Sequence, residues 1–82
     1  MSGLDNISGK DAIKAFQKLG WYIVGQVSCH VVLSKVGEKA NLSVPQHKEL
    51  SIGTLRSLIR CSGRTVEEFL EKFKKIEYLI NL

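Results

Sequence analysis

Apolar residues recur at helical spacing in three stretches of the chain and alternate at period two in the stretch between the first and second. Ser8 followed by Asp11 reads as a helix N-cap with a capping-box variant, after which Ala12, Ile13, Phe16 and Leu19 share one face and Gly20 ends the run. From Trp21 to Val24 and from Ser28 to Val36 the residues are β-branched and aromatic. Gly25-Gln26 between these runs reads as a hairpin turn, predicting two antiparallel strands with His30 in the middle of the second. Period two sets His30, Val32 and Ser34 on the face opposite Val31 and Leu33, which leaves His30 accessible. Gly37-Glu38-Lys39 is a turn, and Ala40, Leu42 and Val44 alternate with Asn41 and Ser43 until Pro45 stops the third strand.

Leu55, Leu58 and Ile59 form the next helical stripe, predicting a helix from Ile52 to Ser62 with Gly63 as its C-cap. Thr65 and Glu68 make a T-x-x-E capping box ahead of Phe69, Leu70, Phe73 and Ile76, with Glu68/Lys72 and Glu71/Lys75 as i,i+4 pairs on the outer side. The order is therefore α-β-β-β-α-α: an α+β fold whose three-stranded antiparallel sheet carries helices on one face.

At 82 residues the expectation is one domain, 1–82, with one small core. A content of 44% hydrophobic and 24% charged residues suits a folded domain rather than a disordered tail. No apolar run is long enough for a membrane span, and Met1 to Asn6 do not resemble a signal peptide, so a cytoplasmic protein is expected. Cys29 and Cys61 stand far apart with no metal-ligand spacing, so free thiols and no metal or cofactor are expected. The formal charge of +4 is uneven: residues 1–64 hold nine Lys and Arg against four Asp and Glu, and residues 65–82 hold three against four.

Few side chains can exchange protons near neutral pH; an ordinary histidine does so around pH 6.5, which singles out His30 and His47. RNA carries its own nucleophile in the 2′-hydroxyl, so one base and a few cations suffice to cut it. Lys35, Lys39 and Lys48 lie near enough in the chain to supply charge around the sheet. Leu50 to Thr54 open the second helix with free N–H groups suited to phosphate, at Gly53 and Thr54 in particular. Arg56, Arg60 and Arg64 form a stripe that can track a nucleic-acid backbone. Each feature also has a plain structural reading: a hydrogen-bonded strand histidine, a surface His47, an ordinary helix cap, a solvated helix face. Lys10, Lys14 and Lys18 form a further ridge, best read as solvated.

The segments Ser8-Gly9-Lys10, Leu19-Gly20-Trp21, Gln26 to His30, Val44-Pro45-Gln46-His47, Gly53-Thr54-Leu55, Cys61-Ser62-Gly63 and Glu67-Glu68-Phe69 resemble, in order and spacing, the HicA toxin family over residues 8 to about 73. The resemblance implies a double-stranded-RNA-binding-domain-like fold, endoribonuclease activity on mRNA, and a HicB-like antitoxin partner. Its catalytic histidine sits in a Gly-Ser-His motif, which maps onto Ser28-Cys29-His30; an Arg that often precedes the motif is replaced here by Gly25. By this resemblance His30 is the catalytic base, and His47 joins the start of the second helix as a phosphate contact. The alternatives from other classes are a non-catalytic RNA-binding module of the same fold and a protein-interaction domain.

Overall fold

The computed structural model describes residues 3–80, with side chains described through residue 74. The elements are α1 (Gly9–Lys18), β1 (Tyr22–Val27), β2 (His30–Ser34), β3 (Leu42–Pro45), α2 (Ile52–Cys61) and α3 (Val66–Ile80). The strands form an antiparallel meander in the order β1-β2-β3, and α1 and α2 pack against β3 and against α3.

Each helix begins where its capping chemistry dictates. The Ser8 hydroxyl accepts from the Asp11 amide at 3.1 Å, the Ser51 hydroxyl accepts from the Thr54 amide at 3.1 Å, and Gly63 adopts φ +78° just past α2. The Thr65–Glu68 box is reciprocal: the Thr65 amide donates to the Glu68 carboxylate at 2.9 Å, and the Glu68 amide donates to the Thr65 hydroxyl at 3.2 Å. Reaching back to close this box, Glu68 pairs with Arg64 at 3.3 Å, the one ion pair among the described residues, and not with Lys72 as its spacing suggested. The Glu71/Lys75 pair and Ile76 lie outside the described side chains.

The Thr65 amide holds the Glu68 carboxyl below its ordinary value, with desolvation opposing and Arg64 assisting. A depressed folded pKa contributes stability that is complete above the unfolded value and is lost as pH falls through the folded one. Glu68→Gln should therefore lower the melting temperature at neutral pH and make no difference in acid. Calorimetric melts of both proteins from about pH 7 down to about pH 2 test this, and a gap that persisted in acid would disprove it.

The core lies between one face of the sheet and the helices. Val31, Leu33, Leu42 and Val44 from β2 and β3 are buried against Ala12, Phe16, Leu55, Ile59 and Phe69. Phe16 and Phe69 meet as tilted rings with centroids 5.1 Å apart. Residues outside the regular elements complete the core: Leu4 and Ile7 before α1 and Leu50 before α2 are buried, and the Leu50 amide donates to the Ile7 carbonyl at 2.8 Å. Periodicity did not single these three out, because they belong to no helix or strand. No helix among the described residues is long and apolar enough to cross a membrane.

The β1–β2 turn is not where the glycine suggested. Val27 pairs with His30, so Ser28-Cys29 is the two-residue turn; Gly25 and Gln26 lie within β1, paired with Val32 and Val31. The register shifts between Ile23 and Gly25, so the glycine marks an irregularity in the strand rather than its end. His30 consequently moves from mid-strand to the first residue of β2. Ala40 is exposed and precedes β3 rather than belonging to it.

Candidate active site

The alternation of β2 is buried at Val31 and Leu33 and half-exposed at His30, Val32 and Ser34, so the expected parity holds. Across the ladder His30 faces Pro45 and Val32 faces Ser43, which places His30 and Ser43 on the same open face. Alongside runs the first part of α2. Together they form an open groove of about 550 Å³, with His30, Ser43 and Pro45 on the sheet side and Gly53, Thr54, Ser57 and Leu58 on the helix side.

The Cys29 sulfur lies 3.9 Å from Nδ1 of His30, and among the described residues Nε2 has no protein partner. Two amides of the first turn of α2, those of Ile52 and Gly53, have no partner among the described residues, as expected at a helix start. The Thr54 amide is not among the free donors, because Ser51 takes it. The Thr54 hydroxyl instead accepts from the Ser51 hydroxyl at 2.8 Å, which leaves its own hydrogen to donate elsewhere. The groove thus offers a titratable ring, hydroxyl donors and helix-terminal amides, the combination needed to hold a phosphate beside a base.

His47 and Lys48 line a second hollow, of about 360 Å³, with Ser8, Lys10 and Gln46. Pro45 borders the first and Gln46 the second, so the two meet at the end of β3. Gly9 makes this junction: its amide donates to the His47 carbonyl at 3.0 Å, bringing the start of α1 against the loop after β3.

The other basic candidates are not brought to the groove. Lys35 follows the far end of β2, with its side chain over Gly20, roughly 16 Å along the strand from His30. Lys39 is exposed in the β2–β3 loop, and Arg56 and Arg60 are exposed on α2 without lining the groove. Ser43 and Ser57 were missed. Ser57 follows Gly53 and Thr54 at i+4 and i+3, so helical spacing alone marks it; Ser43 becomes visible only once the β2–β3 register is known.

Ser28 turns the chain into His30 with φ +56°, a left-handed conformation that strains a residue bearing a Cβ. It occupies the position of the glycine in the Gly-Ser-His motif, where that conformation carries no such strain. Ser28→Gly should raise stability by about 0.5–1 kcal/mol in denaturant melts, and a loss of stability would show that the turn does not need glycine's freedom.

The element order and the meander backed by helices put the chain in the double-stranded-RNA-binding-domain-like class of α+β folds. The family model described as the HicA toxin of bacterial toxin-antitoxin matches residues 9–64, a span that contains both walls of the groove, and the chain belongs to that family. No individual curated protein matches it.

Proposed function

We propose that this toxin is an endoribonuclease that cuts mRNA with His30 as the base. The observation that carries the reading is His30, half-exposed at the start of β2, facing the amide-bearing first turn of α2 across a groove open to a polynucleotide. His30 removes the proton from a ribose 2′-hydroxyl, the 2′-oxygen bonds to the adjacent phosphorus, and the bond from phosphorus to the 5′-oxygen breaks. The leaving 5′-oxygen takes a proton from water, so the products are a 2′,3′-cyclic phosphate and a 5′-hydroxyl. The free amides of Ile52 and Gly53 and the hydroxyls of Thr54, Ser57 and Ser43 receive the charge that builds on the phosphate oxygens. Lys48, His47 and Lys10 hold the next stretch of backbone in the adjoining hollow. Arg56 and Arg60, with Lys35 and Lys39 more distant, add to the attraction of RNA.

This chemistry draws its nucleophile from the substrate, so it needs no metal. The antitoxin partner is HicB-like, and the protein works in the cytoplasm as a single domain. Incubation of cellular RNA with the purified protein in EDTA, followed by analysis of the new ends, tests the reading. Cyclic-phosphate and 5′-hydroxyl ends are expected; intact RNA, or 5′-phosphate ends, would overturn it.

A second reading has its own support. Among the described residues no Lys or Arg lines the groove, and Gly25 stands where the family often has arginine. That favours a module that binds RNA without cutting it, recognised by salt-sensitive RNA binding with no cleavage.

A further inference from the structure

β1 lies at one edge of the sheet, paired only with β2. Its sequence, Tyr-Ile-Val-Gly-Gln-Val, contains no charge and no proline, and all six residues are exposed. Tyr22, Ile23 and Val24 are 47–52% exposed and Val27 69%. Edge strands are ordinarily guarded by a lysine, a proline or a covering helix, because their outward N–H and C=O groups template pairing with another chain. Here α1 and α2 pack chiefly against β3, the strand at the opposite edge, and the register shift at Ile23/Gly25 is the one irregularity along the strand.

The apolar side chains occupy both faces. Ile23 faces Leu33 and so points to the helix side, whereas Tyr22 and Val27 face Ser34 and His30 on the open side. A strand added at this edge continues both faces at once, because its successive side chains alternate between them.

Charge selects among strands. A groove of about 390 Å³ beside β1 is lined by Ile13, Ile23 and Val31 together with Lys10 and Lys14. A second copy of this chain would bring a further +4 and its own lysines to the same place. We infer that β1 is the docking edge for the antitoxin, which adds a strand whose apolar residues cover Ile23, Val24 and Val27 and whose carboxylates meet Lys10 and Lys14. The inference rests on membership of a toxin–antitoxin family and on β1, and does not depend on how or whether the protein cuts RNA.

The antitoxin of the same system, titrated calorimetrically into the full-length His30→Ala protein, provides the test without RNA damage. In that background Val24→Glu and Lys14→Glu should each weaken binding at least about tenfold, and Val24→Thr, an uncharged strand former, should bind like its parent. Circular dichroism establishes that each variant is folded, and Lys14→Glu, on the exposed side of α1, serves if Val24→Glu is not. Affinities equal across the folded variants would overturn the inference. A protein that sediments alone as a dimer and is made monomeric by Val24→Glu would give the edge to a second copy, and loss of binding to a short single-stranded RNA in Val24→Glu would give it to RNA. RNA cleavage is not read in this experiment, so failure here and failure of the ribonuclease reading remain separate.

Discussion

Replacing His30 by alanine should reduce RNA cleavage by at least about 10²-fold, the lower end of what a positioned acid–base group contributes. The fold should survive the change. His30 is half-exposed on the open face of the sheet, outside the core formed by Val31 and Leu33 on the opposite side, and among the described residues its ring meets only the sulfur of the exposed Cys29, at 3.9 Å. A surface change of this kind shifts stability by no more than about 0.5 kcal/mol. RNA affinity and its dependence on salt should also persist, because the imidazole is assigned to the proton and the lysines of the adjoining hollow to the backbone. Single-turnover cleavage, gel-shift binding across a salt series and a thermal melt separate these roles. Equal cleavage by the variant and the parent would remove His30 from the chemistry, and lost binding with an intact fold would make it a contact instead of a base.

Gly9→Ala should be the most damaging small change in the fold, costing about 3 kcal/mol, the upper end of the range for overpacking. A Cβ at Gly9 would meet the Pro45 carbonyl oxygen well inside contact distance and press on the Gln46 side chain. Side-chain rotation cannot relieve a clash with a backbone oxygen. The start of α1 must therefore move away from the end of β3, breaking the bond from the Gly9 amide to the His47 carbonyl. For a domain of this size the melting temperature should fall by about 12–24 °C. The same shift displaces Pro45, which forms part of the groove wall, so cleavage should fall even where the protein remains folded. A melting temperature within about 3 °C of the parent would show that the junction yields easily.

Ser28 links local strain to the site. The positive φ at this residue ends β1 and delivers His30 as the first residue of β2, opposite Pro45. A glycine, as in the resembling motif, would adopt this conformation without that strain. The change to serine here is therefore a backbone matter first, and the side chain of the following position, Cys29, is the one beside the imidazole.

Most of the architecture was legible in the sequence because it depends on neighbours. Capping pairs such as Ser8 and Asp11 or Thr65 and Glu68, the helical spacing of Phe16 and Phe69, and the period-two burial of Val31 and Leu33 are set within a few residues along the chain. The same locality correctly put His30 on the accessible face and Gly53 and Thr54 at a helix start. Gly25 misled for the same reason. Seen alone it is a turn residue, yet the pairing of Val27 with His30 draws the strand past it and places the turn at Ser28-Cys29.

Only the tertiary structure decided what stands opposite what. The groove joins β2, β3 and α2, whose lining residues are separated by up to 28 positions from His30 to Leu58, and no local preference encodes that meeting. It follows from burying Leu42, Val44, Leu55 and Ile59 in one core, which sets α2 beside β3 and leaves Ser43, Ser57 and His30 facing one another's space. The basic residues sort by the same rule: Lys48 and Lys10 converge because Gly9 permits a close backbone approach, while Lys35 is carried to the opposite end of its strand. Sequence determined the elements and their faces, since those rest on short-range geometry; the packing of remote apolar surfaces determined the site.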